Sequence, residues 1–260
     1  MVKAMGVVSA CVLLMLIASC APQQTKSNLI RQSETTRDLG EAYLRQGDYT
    51  SALRKLLEAE SMNPEDPFLQ NDLGLAYMAK NSLENAENHF KKAIAIKPDY
   101  APAKNNLGVA YLAQEKWDMA IAVFKELTGD LLYATPHYPL TNLGWAYYNK
   151  RQYETSEKYY RDALGYDANY PQALRGLGRT CAAMGRIEEA IAFYEKAVAK
   201  SPRFVEAYFD LGKAYGMSGD YEKAHGAYEK VRELVPEHPL AQEAEKEILR
   251  IKMMQSGRGF

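Results

Sequence analysis

Cysteine is scarce in these 260 residues, with only Cys11, Cys20 and Cys181. Three thiols exclude a disulfide framework, and no paired-cysteine motif points to a structural zinc site. The histidines are His89, His137, His225 and His238, none in the His-Glu-x-x-His spacing of a zinc protease. A phosphate-cradling Gly-rich loop and a nucleophile elbow are missing as well. No catalytic residue, metal, cofactor or small-molecule substrate is therefore expected, and the chain reads as a non-enzyme. It also lacks an excess of either charge. Lys and Arg number 32 against 33 Asp and Glu, a net charge of −1, which speaks against a nucleic-acid partner, since that would favour a basic face. Long apolar runs are rare too. The run from Ala4 to Ala18 spans about fifteen residues, short of the ~20 that a permanent membrane-spanning helix needs.

What the sequence has in quantity is repetition. Leu-Gly pairs stand at Leu39/Gly40, Leu73/Gly74, Leu107/Gly108, Leu143/Gly144, Leu177/Gly178 and Leu211/Gly212, at intervals of 34, 34, 36, 34 and 34 residues. Three residues after each Gly, one helical turn on, come Tyr43, Tyr77, Tyr111, Tyr147, Cys181 and Tyr215. A small residue follows at Ala52, Ala86, Ala120, Ser156, Ala190 and Ala224, where two helices must approach closely. Four positions later a large side chain stands at Leu56, Phe90, Phe124, Tyr160, Tyr194 and Tyr228. Pro64, Pro98, Pro202 and Pro236 end four of the copies, because proline lacks the N–H that a continuing helix needs. Glycines at Gly47, Gly185 and Gly219 suit tight turns between paired helices. The large residues that follow the turns, Tyr49, Leu83, Trp117, Tyr153, Ile187 and Tyr221, are apolar in every copy, so Trp117 is expected in the core. Cys181, in the place of a packed tyrosine, is expected to be a buried thiol.

Together these positions match the tetratricopeptide pattern. The resemblance implies an all-α fold, a right-handed superhelix of six helical hairpins over 33–66, 67–100, 101–136, 137–170, 171–204 and 205–238. Stability in such an array comes from stacking on neighbours. Residues 239–254 read as a capping helix, with Leu240, Ala244, Ile248 and Ile251 on one face. A disordered tail is expected over 255–260.

The first residues read differently. Lys3 and the apolar run form an export signal over 1–19, and Ile17-Ala18-Ser19-Cys20 resembles a bacterial lipoprotein signal-peptidase site. The resemblance implies that Cys20 is lipidated and becomes the mature N-terminus, and several acyl chains hold a protein stably at a membrane. Ala21 stands where inner-membrane lipoproteins carry Asp, which implies an outer-membrane destination facing the periplasm. A polar tether is expected over 20–32, running on to about Thr36. Extended, it would span up to ~50 Å.

In tetratricopeptide arrays the first helix of each hairpin lines the concave face, with the residue after the Leu-Gly pair and the one three further on pointing into the groove. These positions vary here. Leu75, Met78, Val109, Leu112, Trp145 and Tyr148 make an expected apolar and aromatic stripe, the kind of surface that binds a peptide or helix. Asn71, Asn105 and Asn149 border it as candidates to hold an extended backbone. Arg175, Arg179 and Lys213 suit an acidic partner segment. A clamp for a terminal carboxylate, which needs Asn at the ninth position of an early repeat, is excluded by Glu41 and Leu75.

A lipoprotein signal, a short tether and six such repeats resemble the type IV pilus pilotins, the PilF/PilW/Tgl family. Asn105-Asn106-Leu107-Gly108, then Leu132-Tyr133-Ala134-Thr135-Pro136 and Asn142-Leu143-Gly144, are similar to that family's third-to-fourth repeat junction. The resemblance implies a lipid-anchored outer-membrane protein that binds secretin subunits and promotes their localisation and multimerisation for pilus biogenesis. The alternative on the same anchor and fold is an adaptor that recruits periplasmic proteases or cell-wall enzymes.

Overall fold

The computed structural model describes residues 26–129 and 134–255. The expected signal, Cys20 and the first part of the tether, the Leu132-Tyr133 pair of the junction, and residues 256–260 lie outside them. Among the described residues every regular element is an α-helix. The chain divides into two compact units at Gln114/Glu115, inside the turn of the third hairpin.

The first unit holds α1 (residues 26–46), α2 (Tyr49–Met62), α3 (Pro67–Ala79), α4 (Leu83–Ile96) and α5 (Ala101–Ala113). The second holds α6 (Trp117–Gly129), α7 (His137–Asn149), α8 (Tyr153–Tyr166), α9 (Pro171–Ala183), α10 (Ile187–Lys200), α11 (Val205–Ser218), α12 (Tyr221–Leu234) and α13 (Pro239–Gln255). Helix starts carry recognisable stop and start chemistry. Asp48, Asp66 and Asp220 accept hydrogen bonds from the free N–H groups of Ser51, Phe68 and Lys223. Pro67, Pro102 and Pro171 stand in first turns, where a missing N–H is harmless.

The Leu-Gly pair has a direct physical cause. Leu56, Phe90, Tyr160, Tyr194 and Tyr228 each lie against the glycine of their own first helix: a Cβ built on Gly74 would sit 2.4 Å from Phe90, and one on Gly178 would sit 2.7 Å from Tyr194. Ala52, Ala86, Ala120, Ser156, Ala190 and Ala224 are fully buried, and so are Leu56, Phe90 and Phe124. Removing one such buried ring costs about 3–5 kcal/mol. In the fourth hairpin Ser156 turns its buried hydroxyl to the Gly144 carbonyl at 2.8 Å and to the Thr180 hydroxyl at 3.1 Å.

Consecutive helices pack on one another within each unit. In the second unit α7 also touches α9, α9 touches α11, and α11 touches α13, whereas among the described residues no two even-numbered helices meet. The stack in this unit therefore bends toward the odd-numbered helices, which line its inner side. The capping helix buries Ala241, Ala244, Ile248 and Ile251, with Leu240 half-buried.

Two expectations need correction. The tether does not run to Thr36, since residues 26–36 are already in α1. Its polar side chains are satisfied on the helix: Thr35 and Thr36 donate to the carbonyls of Arg31 and Gln32, and buried Ser33 donates to the Ala59 carbonyl at 2.9 Å. Trp117 is half-buried rather than a core residue, and Tyr49, its counterpart, is exposed. Both open a second helix, at the edge of the hairpin. Leu39 is 43% exposed, against at most 7% for the other five leucines of the pairs, because no described hairpin precedes α1. Gly47, Gly185 and Gly219 take the expected left-handed turns, at φ 78°, 78° and 83°. The equivalents of Gly47, Gly185 and Gly219 are Asn81, Glu115 and Arg151, all left-handed at φ 58°.

Candidate functional site

The inner side of the second unit brings together most of its predicted site residues. Trp145 and Tyr148, one turn apart on α7, stack with centroids 5.7 Å apart and planes 7° from parallel. The Arg179 guanidinium from α9 lies against both, 4.6 Å from the Trp145 ring and 4.8 Å from that of Tyr148. Cation–π attraction favours this contact and leaves the charge at the surface. Both rings are half-buried, so they contact the neighbouring hairpin through Arg179 and still face the inner side. Lys213, at the same repeat position one hairpin on, is exposed and stands 4.4 Å over Phe209.

Three hollows follow one another here. A cavity of about 240 Å³ between α7 and α9 is lined by Trp145, Tyr160, Arg175, Gly176, Arg179 and Phe204, among others. One of about 250 Å³ between α9 and α11 is lined by Tyr148, Arg179, Tyr194, Asp210, Lys213 and Met217. The third, about 330 Å³, lies between α11, α12 and α13, with Lys213, Met217, Tyr228 and Met254 in its wall. Arg179 belongs to the first two hollows and Lys213 and Met217 to the last two, so the three form one trough.

Two of the predicted roles in this unit change. Arg175 is not a free cation: its Nε donates to Asp210 Oδ2 at 2.7 Å, and both side chains are largely covered. Asn149 donates its side-chain amide to the Trp145 carbonyl at 2.8 Å, one turn back on its own helix, rather than reaching for a ligand backbone.

In the first unit Leu75, Met78, Val109 and Leu112 are half-buried. Asn71 is only 5% exposed. Its Oδ1 accepts from Asn106 Nδ2 at 2.9 Å and its own Nδ2 faces Asp72 Oδ1 at 3.4 Å, so this amide ties α3 to α5 instead of offering itself to a partner. Asn105 is half-buried with its Oδ1 shielded and unbonded. Burial pushes the Asp72 carboxyl up to about 7, with Glu41 and Asp66 adding to the rise against the opposing pull of Asn71 and Arg37.

Tyr160, Tyr194, Phe204, Asp210 and Met217 were not foreseen. A signal for Tyr160 did exist. Gly176 interrupts a series of polar residues, Asp72, Asn106, Asn142 and Asp210, at one repeat position. A Cβ there would come within 2.2 Å of the Tyr160 ring, so only glycine lets that phenol reach between the hairpins. Cys181 is fully buried and its thiol is pushed up by that burial, which makes it unreactive. Among the described residues no group of His, Cys, Asp and Glu is placed to hold a metal, and no helix is long and apolar enough to cross a membrane.

Two models described as tetratricopeptide repeat match the chain, one over residues 37–101 and 141–203, the other over 77–131 and 182–248. No curated protein matches the sequence significantly. Among solved structures, PilW, described as a widely conserved type IV pilus biogenesis factor, is 22% identical with a TM-score of 0.73, covering 81% of this chain and 97% of its own. Pseudomonas aeruginosa PilF is 18% identical with a TM-score of 0.69, covering 85% of this chain and 99% of its own. A chain of the APC/C hetero-tetramer Cut9–Hcn1 reaches a TM-score of 0.72 at 17% identity, with 83% of this chain and 42% of its own covered. At these identities the likeness is one of fold.

Proposed function

The chain belongs to the tetratricopeptide repeat family, and on that premise we propose that it is a lipid-anchored outer-membrane protein that binds secretin subunits and promotes their localisation and multimerisation for type IV pilus biogenesis. The observation that carries the reading is the likeness to PilW and PilF over 97% and 99% of their lengths, combined with the lipoprotein-like Ile17-Ala18-Ser19-Cys20. In this reading the lipid on Cys20 gives membrane destination, and the trough lined by Trp145, Arg179 and Lys213 gives recognition. Neither step needs chemistry. Binding energy comes from apolar burial against the aromatic wall and from charge complementarity.

The test follows the secretin multimer on unheated gels of membrane fractions from cells carrying the wild-type protein, Cys20→Ala or a deletion. The deletion is expected to lose outer-membrane multimer, and Cys20→Ala to retain a folded protein but misplace the multimer. Unaltered multimers in both strains reject the secretin reading and direct the search for a partner to periplasmic proteases and cell-wall enzymes.

A further inference from the structure

Aromatic side chains recur at the loops that join one hairpin to the next. In the second hairpin the rings of Phe68, its second residue, and Tyr100, its last, meet edge to face with centroids 5.1 Å apart and planes 76° from parallel. Lys97 holds its ammonium over both, 5.1 Å from the Phe68 centroid and 5.5 Å from that of Tyr100. The fourth hairpin repeats the pair at the same two positions: Tyr138 and Tyr170 meet with centroids 5.5 Å apart and planes at 79°. Its charge is reversed. Asp167 stands where the second hairpin has Lys97.

The two places share a backbone. Lys97 caps α4 at φ −131° and ψ 90°, and Asp167 caps α8 at φ −138° and ψ 95°. The N–H of Tyr100 returns to the Lys97 carbonyl at 3.0 Å, and that of Tyr170 to the Asp167 carbonyl at 3.2 Å. Exposure matches as well, at 43% for Phe68 and 42% for Tyr138. In the fifth hairpin the last residue, Phe204, takes its cation from the fifth position, where Arg175 stands 5.6 Å away; in the fourth hairpin that position is Thr141. Among the described residues no Lys or Arg lies over Tyr138 or Tyr170, and residues 130–133 contain neither type. His137 packs against both rings, at 4.2 Å and 5.1 Å, as a third aromatic wall. Asp167 accepts the Asn169 N–H at 3.0 Å and, among the described residues, forms no ion pair. The Tyr170 phenol is pushed up to about 12, by burial first and then by Tyr138 and Asp167, in keeping with a carboxylate beside the ring pair.

We propose that Tyr138, Tyr170 and Asp167 form a receptor for a lysine side chain of a partner protein, which takes the place that Lys97 fills from within in the second hairpin. The ring faces attract the ammonium through their quadrupoles, and the carboxylate adds its charge. The alkyl stem of the lysine lies along the exposed Tyr138 ring while its head stays at the surface. None of the three residues lines the trough, and the charge selected is opposite to the one that Arg179 and Lys213 suit. The site is therefore a second point of contact, and it does not depend on the partner being a secretin.

The experiment is an NMR titration of the purified full-length chain, carrying isotope-labelled tyrosines, with the capped peptide Gly-Gly-Lys-Gly-Gly. Counterparts with norleucine or acetyl-lysine at the centre keep the stem and remove the charge. Tyr138→Phe and Tyr170→Phe identify the two ring signals. The lysine peptide is expected to move both signals saturably and to bind about tenfold tighter than either neutral one, the scale of a cation held by two rings and a carboxylate. Asp167→Asn should weaken it several-fold. Asp167→Lys, which restores the arrangement of the second hairpin, should move both signals by itself and abolish peptide binding, with circular dichroism confirming the fold. Equal binding of the norleucine peptide, no shift with any peptide, or undiminished binding to Asp167→Lys overturns the proposal. Shifts produced by phosphatidylethanolamine nanodiscs and not by the peptide overturn it in favour of a lipid amine. The outcome is separable from the secretin test: lysine binding with unaltered multimers sinks the secretin reading and keeps this one, and lost multimers with no lysine binding do the reverse.

Discussion

Arg175 donates its Nε–H to Asp210 across 2.7 Å and so ties α9 to α11 along the wall of the trough. The pair removes one of three predicted cations from partner recognition and leaves Arg179 and Lys213 as the free ones. Asp210→Asn should release Arg175 toward the middle hollow and tighten an acidic-centred peptide several-fold. Calorimetric titration of the purified protein with a synthetic acidic peptide reads this directly, and an unchanged or weakened affinity contradicts the division of roles.

Trp145 and Tyr148 share the guanidinium of Arg179, so either ring alone still supports it. Trp145→Ala together with Tyr148→Ala should weaken partner binding by ~2–4 kcal/mol, the range for two aromatic anchors. The double variant is compared with each single one by calorimetry. Wild-type affinity in the double variant removes the aromatic wall from the binding site.

Arg151 holds a left-handed conformation at φ 58° where Gly185 and Gly219 stand in equivalent turns. A side chain there costs about 1–2 kcal/mol, part of which the extra freedom of glycine in the unfolded chain offsets. Arg151→Gly should therefore stabilise by about 0.5–1 kcal/mol in urea unfolding. Gly185→Ala should lose a similar amount, and a destabilised Arg151→Gly would show that the Arg151 side chain makes a contact of its own.

Asp72 titrates near 7 because burial disfavours its charge, with Glu41 and Asp66 adding repulsion. A carboxyl whose folded pKa lies above its unfolded value binds more protons in the folded state. The protein is then favoured at low pH by this group and loses that contribution as pH rises from about 4 through about 7. Asp72→Asn should thus raise the melting temperature more at pH 8 than at pH 4.5. An equal effect at both pH values would mean that the carboxyl titrates normally.

The sequence by itself determined the repeat and its local chemistry. The Leu-Gly, Ala and Leu/Phe/Tyr positions recur because a large side chain on the second helix must lie on a glycine of the first, a demand made within one hairpin and therefore written at fixed intervals. Pro67 and Pro171 mark helix starts for the same local reason. The left-handed turns were half legible: glycine announces them at Gly47, Gly185 and Gly219, while Asn81, Glu115 and Arg151 adopt the same conformation without announcing it. Only the tertiary structure decided which polar groups remain available to a partner. Asn71 and Asn106 are 35 residues apart, as are Arg175 and Asp210, yet each pair meets side by side on adjacent hairpins. Hydrogen bonds and ion pairs between stacked repeats depend on distance in space, which a one-repeat pattern does not encode. The same holds for Tyr160, whose access to the trough depends on the missing Cβ of Gly176 in the next hairpin.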